Sequence, residues 1–142
     1  MSFESDPVAA ILHDSRTIAV VGASTDPSRP SHEVAQYLQR NGYRIVPVNP
    51  NHAGDRILGE HCYPTLTEAA AALTKEHIKI DVVDCFRRSE AIEPVADEAI
   101  AIGAHCLWMQ LGVVNEAAAA KARAAGLEVV MDRCLKIEHM NL

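Results

Sequence analysis

A doubly wound α/β domain is the fold class this sequence predicts, on three observations. Short apolar runs rich in Val and Ile recur along the chain, as in Thr17-Ile-Ala-Val-Val-Gly22 and Ile80-Asp-Val-Val-Asp-Cys-Phe86. Segments with apolar residues at helical spacing alternate with them. Gly42, Gly103 and Gly126 fall where three of those helices should stop. With 142 residues the chain fits one domain, and a domain of that size buries roughly 70% of its unfolded surface, enough to fold without staples.

The elements follow in order. Asp6 caps a short opening helix with Pro7 at its first position and Val8, Ile11 and Leu12 on one face, so residues 1–15 read as a helical extension of a single domain spanning 1–142. Thr17 to Gly22 is the first strand. After the loop Ala23 to Arg29, a helix starts near Pro30, carries Val34 and Leu38, and ends at Gly42. Tyr43 to Asn49 is the second strand, with Pro47 near its end where a missing N–H does least harm. Pro50 to Pro64 is a loop with a short extended piece around Ile57-Leu58. Thr65-Leu-Thr-Glu68 has capping-box spacing and opens an alanine-rich helix.

Ile80 to Phe86 is the third strand. A helix capped near Ser89 carries Ile92, Val95, Ala99 and Ile102, and Pro94 must sit in its first turn or bend it. His105 to Gln110 is the fourth strand, Asn115 caps a helix over Glu116 to Ala125, and Glu128 to Met131 is the fifth strand. The segment Arg133 to Leu142 has too little apolar surface for an independent element, and covering a sheet edge or making a dimer contact are both open to it. Crossover connections then give a five-stranded, mostly parallel, Rossmann-like sheet with helices on both faces, for which the order 3-2-1-4-5 is expected. That order reverses the chain between strands one and four. Ligand would gather at Gly22 to Arg29 and Gln110 to Asn115, outside the carboxyl ends of those strands.

Composition narrows the function. Hydrophobic residues make up 49% and charged residues 23%, which argues against disorder. The 13 basic and 19 acidic residues give a net charge of −6, so a broad face for nucleic acid is not expected and an anionic ligand must meet a local cluster. Aromatics at 4% offer no stacking platform for single strands. The start lacks an apolar leader core, and the longest apolar stretch, Ile18 to Ala23, is too short to span a bilayer. A cytoplasmic protein that does not engage membranes, with reduced thiols, is the expectation.

The first loop points to phosphate. Gly22 lets the backbone turn sharply at the strand end, where exposed N–H groups and the hydroxyls of Ser24 and Thr25 can cradle a phosphate beside a helix N-terminus. The dinucleotide fingerprint GxGxxG is absent, since the next glycine is Gly42. Asn49 also stands where an NAD site places an acidic residue for the ribose. NAD is therefore disfavoured, while another nucleotide stays open. Asn49 and Pro50 are placed for an adenosine moiety, and Phe86, Arg87 and Arg88 set an apolar face beside two cations that suit a phosphate monoester. Arg29 could serve in the same way.

Five motifs occur in order: Val21-Gly-Ala-Ser24, Tyr43-Arg-Ile-Val-Pro-Val-Asn-Pro50, Asp81-Val-Val-Asp-Cys-Phe-Arg87, Trp108-Met-Gln-Leu-Gly112 and Met131-Asp-Arg-Cys134. Together, from about Arg16 to the C-terminus, they resemble the stand-alone CoA-binding proteins often called YccU-like. That family is related in fold to the CoA-binding domain of the succinyl-CoA synthetase α subunit. The resemblance implies coenzyme A, or an acyl-CoA, along the carboxyl edge of the sheet. It implies Gly22, Ala23 and Ser24 at the phosphates with Arg29 nearby, Asn49 and Pro50 beside the adenosine, Phe86 and Arg87 at the next strand end, and Trp108 and Gln110 along the pantetheine route, although the residues themselves leave core packing equally open to Trp108.

No catalytic constellation accompanies these motifs: there is no HxxxH pair on a helix and no GxSxG elbow. His61 and His139 read as surface histidines. The expectation is a non-catalytic binding or regulatory module with no metal. The alternatives are a CoA-dependent transferase or ligase component that needs a partner subunit, and, disfavoured by the loop, an NAD-binding redox sensor. A homodimer or a separate protein partner is compatible with either of the first two. No CxxC pair occurs among Cys62, Cys85, Cys106 and Cys134. Cys85 and Cys106 should pack inside strands. Cys134, and after it Cys62, is the candidate for thiol exchange with CoA, because Arg133 and Lys136 stand close in sequence and cations favour a thiolate.

Overall fold

The computed structural model describes residues 7–142; Asp6, read as the cap of the first helix, lies outside them. The elements run α1 (Pro7–Asp14), β1 (Thr17–Val21), α2 (Pro30–Arg40), β2 (Arg44–Val48), β3 (Arg56–Ile57), β4 (Glu60–His61), α3 (Leu66–Thr74), β5 (Val82–Cys85), α4 (Ile92–Ala101), β6 (Cys106–Met109), α5 (Glu116–Ala124), β7 (Glu128–Val130) and α6 (Leu135–Met140). Five strands form a parallel sheet in the order β2-β1-β5-β6-β7. Helices α1, α2 and α6 contribute to the apolar layer on one face, and α3, α4 and α5 to the layer on the other. The α/β class, the parallel sheet and the two helical layers are those expected from the alternating pattern.

The strand order needs one correction. Counting only the five sheet strands, it is 2-1-3-4-5 rather than 3-2-1-4-5: β5 pairs directly with β1, and β2 is an edge strand. Pro47 is the physical reason, and it was visible in the sequence. Proline has no N–H for a ladder, so a strand that carries it sits at an edge. Here Pro47 is in register with Val20 of β1, and the outer side of β2 meets only a single bridge from Val48 to Tyr63. The chain reversal therefore falls between β1 and β5. This brings Gly22 beside Phe86 instead of opposite Gln110.

Strand burial explains why these runs form β structure. All five residues of β1 and all four of β5 and of β6 are buried, so each strand is apolar on both faces apart from Thr17 and Asp84. Each such Val, Ile or Leu contributes about 1.5–3 kcal/mol by leaving water. Thr65 and Asn115 cap α3 and α5, accepting from the backbone N–H groups of Glu68 and Ala118 at 3.1 and 2.9 Å. The closing segment does form an element. It is the helix α6, anchored by the fully buried Leu135 in the layer shared with α1 and α2. No helix among the described residues is long and apolar enough to cross a membrane.

Candidate functional site

The reversal between β1 and β5 opens a cleft of about 1100 Å³ at the carboxyl edge of the sheet. It is as roomy as the larger small-molecule sites, which run to about 1,000 Å³. Its floor begins at Gly22, whose φ of +93° is a conformation other residues adopt only with strain. The close approach is as important as the turn: a Cβ at position 22 would lie 2.4 Å from the Phe86 carbonyl oxygen and 3.2 Å from Arg87 Cδ. Gly22 N–H donates to Val48 O at 2.8 Å and Phe86 N–H donates to Val21 O at 2.8 Å, so the ends of β2, β1 and β5 meet at this point.

The loop that follows is held in shape by its own side chains. Ser24 Oγ accepts from Asp26 N–H at 3.0 Å, and Asp26 Oδ1 accepts from the N–H and hydroxyl of Ser28 at 2.9 and 2.8 Å. These bonds hold the exposed Asp26 carboxyl below the usual carboxylate range. Asn49 braces the loop from β2: its Nδ2 donates to Ala23 O at 2.8 Å and its Oδ1 accepts from Asn51 N–H at 2.9 Å. Both ends of the Asn49 amide are thus used within the chain. Its position is fixed by the turn, whatever ligand lies over it.

Of the residues expected at the site, Gly22, Ala23, Ser24, Arg29, Asn49, Phe86, Arg87 and Gln110 line one cleft, joined by Arg88 and Cys134. Two do not. Pro50 is the exposed first residue of a short 3₁₀ turn outside the lining. Trp108 is wholly buried in the core, and its indole Nε1 donates to Arg133 O at 2.8 Å. The indole is large and carries a single donor, and a backbone carbonyl under the sheet satisfies it more fully than a wet cleft. Cys62 is also buried rather than loop-exposed, with its thiol pushed up by burial. Cys85 and Cys106 are buried in their strands, as expected. Cys134 is half-buried at the cleft wall.

Cations concentrate at the rim. Arg29, Arg87 and Arg88 are exposed and line the cleft, and none forms an ion pair among the described residues. Three arginines outside any ion pair, Arg29 acting only through its charge on Asp26, form a local anion-attracting cluster in a chain of net charge −6. Opposite them, α6 supplies a wall that sequence reasoning missed: Lys136, Ile137 and Met140. Lys136 Nζ pairs with Glu33 at 2.9 Å, and Arg133 pairs with Glu138 at 2.7 Å. The cations beside Cys134 are therefore engaged by carboxylates. The available signal for α6 was Leu135, a single apolar anchor followed by Ile137 and Met140.

Beneath the rim lies a polar pair in an otherwise apolar floor. Asp84 is wholly buried on β5, and its Oδ1 accepts from Gln110 Nε2 at 2.9 Å. Its Oδ2 is buried with no hydrogen-bond partner. Removal from water pushes the Asp84 carboxyl up to about 8, only partly offset by the Gln110 bond.

A glycine turn under a cationic rim, at the switch point of a parallel sheet, marks the cleft edge of a Rossmann-like protein. The CoA-binding domain family matches residues 16–140, and the chain belongs to that family. It is 40% identical over 132 residues, 93% of this chain and 91% of the relative, to the uncharacterized protein YneT of Bacillus subtilis (strain 168). Among solved structures, a hypothetical protein from Pyrococcus horikoshii OT3 superposes with a TM-score of 0.86 at 36% identity, over 96% of this chain and 89% of that one. The dinucleotide-forming acetyl-coenzyme A synthetase 1 of Ca. Korarchaeum cryptofilum, in complex with phosphate and ADP, matches with a TM-score of 0.69 at 26% identity. That match covers 83% of this chain but 26% of the synthetase.

Proposed function

We propose that the cleft holds coenzyme A or an acyl-CoA, and that the protein acts as a binding or regulatory module rather than as a catalyst. The observation that carries this reading is the set of unpaired arginines, Arg29, Arg87 and Arg88, over the Gly22 turn in a chain of this family. The fit to the ligand is chemical. Gly22 lets the end of β1 pack directly against Phe86 and Arg87, the arginines meet phosphate charge, and Leu111, Ile137 and Met140 give the pantetheine arm or an acyl group an apolar wall. A second reading, a ligase component completed by a partner subunit, is favoured by the match to part of the Korarchaeum synthetase.

The test is direct binding. The protein is expected to bind CoA by calorimetry and to ignore NAD and NADH; binding of the nicotinamide nucleotides with no response to CoA overturns the proposal. Arg87→Ala is expected to weaken CoA roughly 10- to 100-fold, the loss of about 1.5–3 kcal/mol for a charge-assisted hydrogen bond. The loss should be smaller for 3′-dephospho-CoA; an equal loss would show that Arg87 does not read the 3′-phosphate.

We also propose Cys134, for its half-buried place at the cleft wall rather than for its neighbouring cations, as the thiol that exchanges with CoA disulfide. Its thiolate attacks one sulfur of the disulfide, a protein–CoA disulfide forms, and one CoA thiolate leaves. Intact mass after incubation with oxidised CoA should show a CoA-sized adduct that is absent in Cys134→Ser. No adduct on the wild-type chain removes this role.

A further inference from the structure

We propose that Asp84 and Gln110 form a proton-linked reader of a carbonyl oxygen in the ligand, with Gln110 presenting its amide N–H to the cleft when Asp84 is protonated. The proposal rests on the CoA reading above and adds to it a positioning residue and the ligand atom that is recognised.

The geometry allows the pair two hydrogen-bonded arrangements. In the structure Gln110 Nε2 donates to Asp84 Oδ1, while among the described residues Gln110 Oε1 accepts no hydrogen bond and Asp84 Oδ2 is buried without a partner. A carboxylate suits this arrangement, and it turns an acceptor toward the cleft that Gln110 lines. Once Asp84 carries a proton, the buried O–H needs an acceptor, and leaving it unpaired is costly. Turning the Gln110 amide by half a rotation supplies Oε1 as that acceptor and points Nε2, with its two N–H donors, into the cleft. A ligand carbonyl, whether the amide of a pantetheine arm or a thioester, is repelled by the first arrangement and held by the second.

The surroundings leave the proton to this pair. Across the sheet Asp84 is flanked by Val20 of β1 and Trp108 of β6. Cys85 and Cys106 feel its charge, and burial pushes both thiols up. From the helices over the same face, Glu33 and Lys136 pair with each other, Glu138 pairs with Arg133, and His139 bonds Tyr37. His13 and Asp14 of α1 are exposed, and His32 is buried at the start of α2. At neutral pH burial keeps most of Asp84 in the acid form, which is the arrangement that receives a carbonyl.

The test measures affinity against pH with S-methyl-CoA, a thioether that has no thiol to titrate. Wild-type affinity is expected to be about 20-fold weaker at pH 9.5 than at 7.5, as the competent fraction falls. Adenosine 3′,5′-bisphosphate, which lacks the pantetheine carbonyls, should show no such slope. Asp84→Asn carries a permanent N–H where the acid carries its proton, and its profile should be flat. Gln110→Met should bind more weakly, also with a flat profile. A flat wild-type profile with binding intact overturns the inference and leaves the CoA reading standing, as does an unchanged slope in Asp84→Asn or an equal slope with the bisphosphate. Absence of binding at pH 7.5 overturns the CoA reading itself and this inference with it.

Discussion

Asp84→Asn is expected to make the protein more stable at pH 8, with a gain that grows as pH rises from 5 toward 8. The sign follows from linkage. An unfolded aspartate ionises near pH 3.9, whereas the folded carboxyl is pushed up to about 8 by burial. The folded state therefore holds a proton that the unfolded state releases. The stabilising contribution of Asp84 is fully present below about pH 3.9, is lost at about 1.4 kcal/mol per unit as pH rises toward 8, and changes no further above that. Asparagine does not titrate, so it escapes this loss. It leaves one extra buried N–H to satisfy, at about 1–3 kcal/mol. Subtracting that from the proton term, a net gain of about 2–4 kcal/mol is expected at pH 8. Urea midpoints of both proteins at pH 5, 6, 7 and 8 measure it. The difference should widen by about 4 kcal/mol over that range; parallel curves would mean that Asp84 ionises in the fold as it does in water. A carboxyl that costs stability under the floor of a cleft, where an amide would cost less, is the pattern expected of a residue kept for function.

The second large effect is Gly22→Ala. Two terms act together: an alanine at φ +93° costs about 1–3 kcal/mol of backbone strain, and its Cβ would sit 2.4 Å from the Phe86 carbonyl oxygen, which must move. Overpacking of this kind adds about 1–3 kcal/mol. A loss of about 2–6 kcal/mol is expected, a fall in Tm of roughly 10 °C for a chain of this size. Gly42 provides the comparison. Its φ is +95° but a Cβ there meets open space, so Gly42→Ala should lose only the strain, about 1–3 kcal/mol. Because the clash falls on Phe86 and Arg87, Gly22→Ala should also lose CoA affinity, whereas Gly42→Ala should not. Equal losses of stability in the two variants would show that the approach of β1 to β5 at this point does not matter.

Much of the cleft was legible because it is built from strand ends, and strand ends are marked in the chain. Gly22 after Val21 and Arg87 after Phe86 each close a buried apolar run, so an α/β reading brings them to one edge of the sheet whatever the strand order. Trp108, for which the core and the crevice are both open in the sequence, stays undecided there for a related reason. Strand membership puts a residue near the edge, but periodicity alone does not say which sheet face it occupies or how deep it lies. The structure puts the indole under the loop at Arg133, where its N–H finds a carbonyl. The wall supplied by α6 was missed because six residues with one buried anchor carry too little pattern to announce a helix; it forms by docking Leu135 beside α1 and α2.

By itself the sequence determined the α/β class, the parallel strands and the glycine turn under the arginines. These follow from local rules: what a buried strand can contain, what ends a helix, and where a side chain can be dispensed with. Tertiary structure alone decided that β5 lies against β1, that Asn49 is consumed in bracing the loop, and that Asp84 and Gln110 share one buried hydrogen bond. The physical reason is common to all three. Each depends on which distant segments meet, and with them on the loss of water, and neither is written in the order of residues along any one strand.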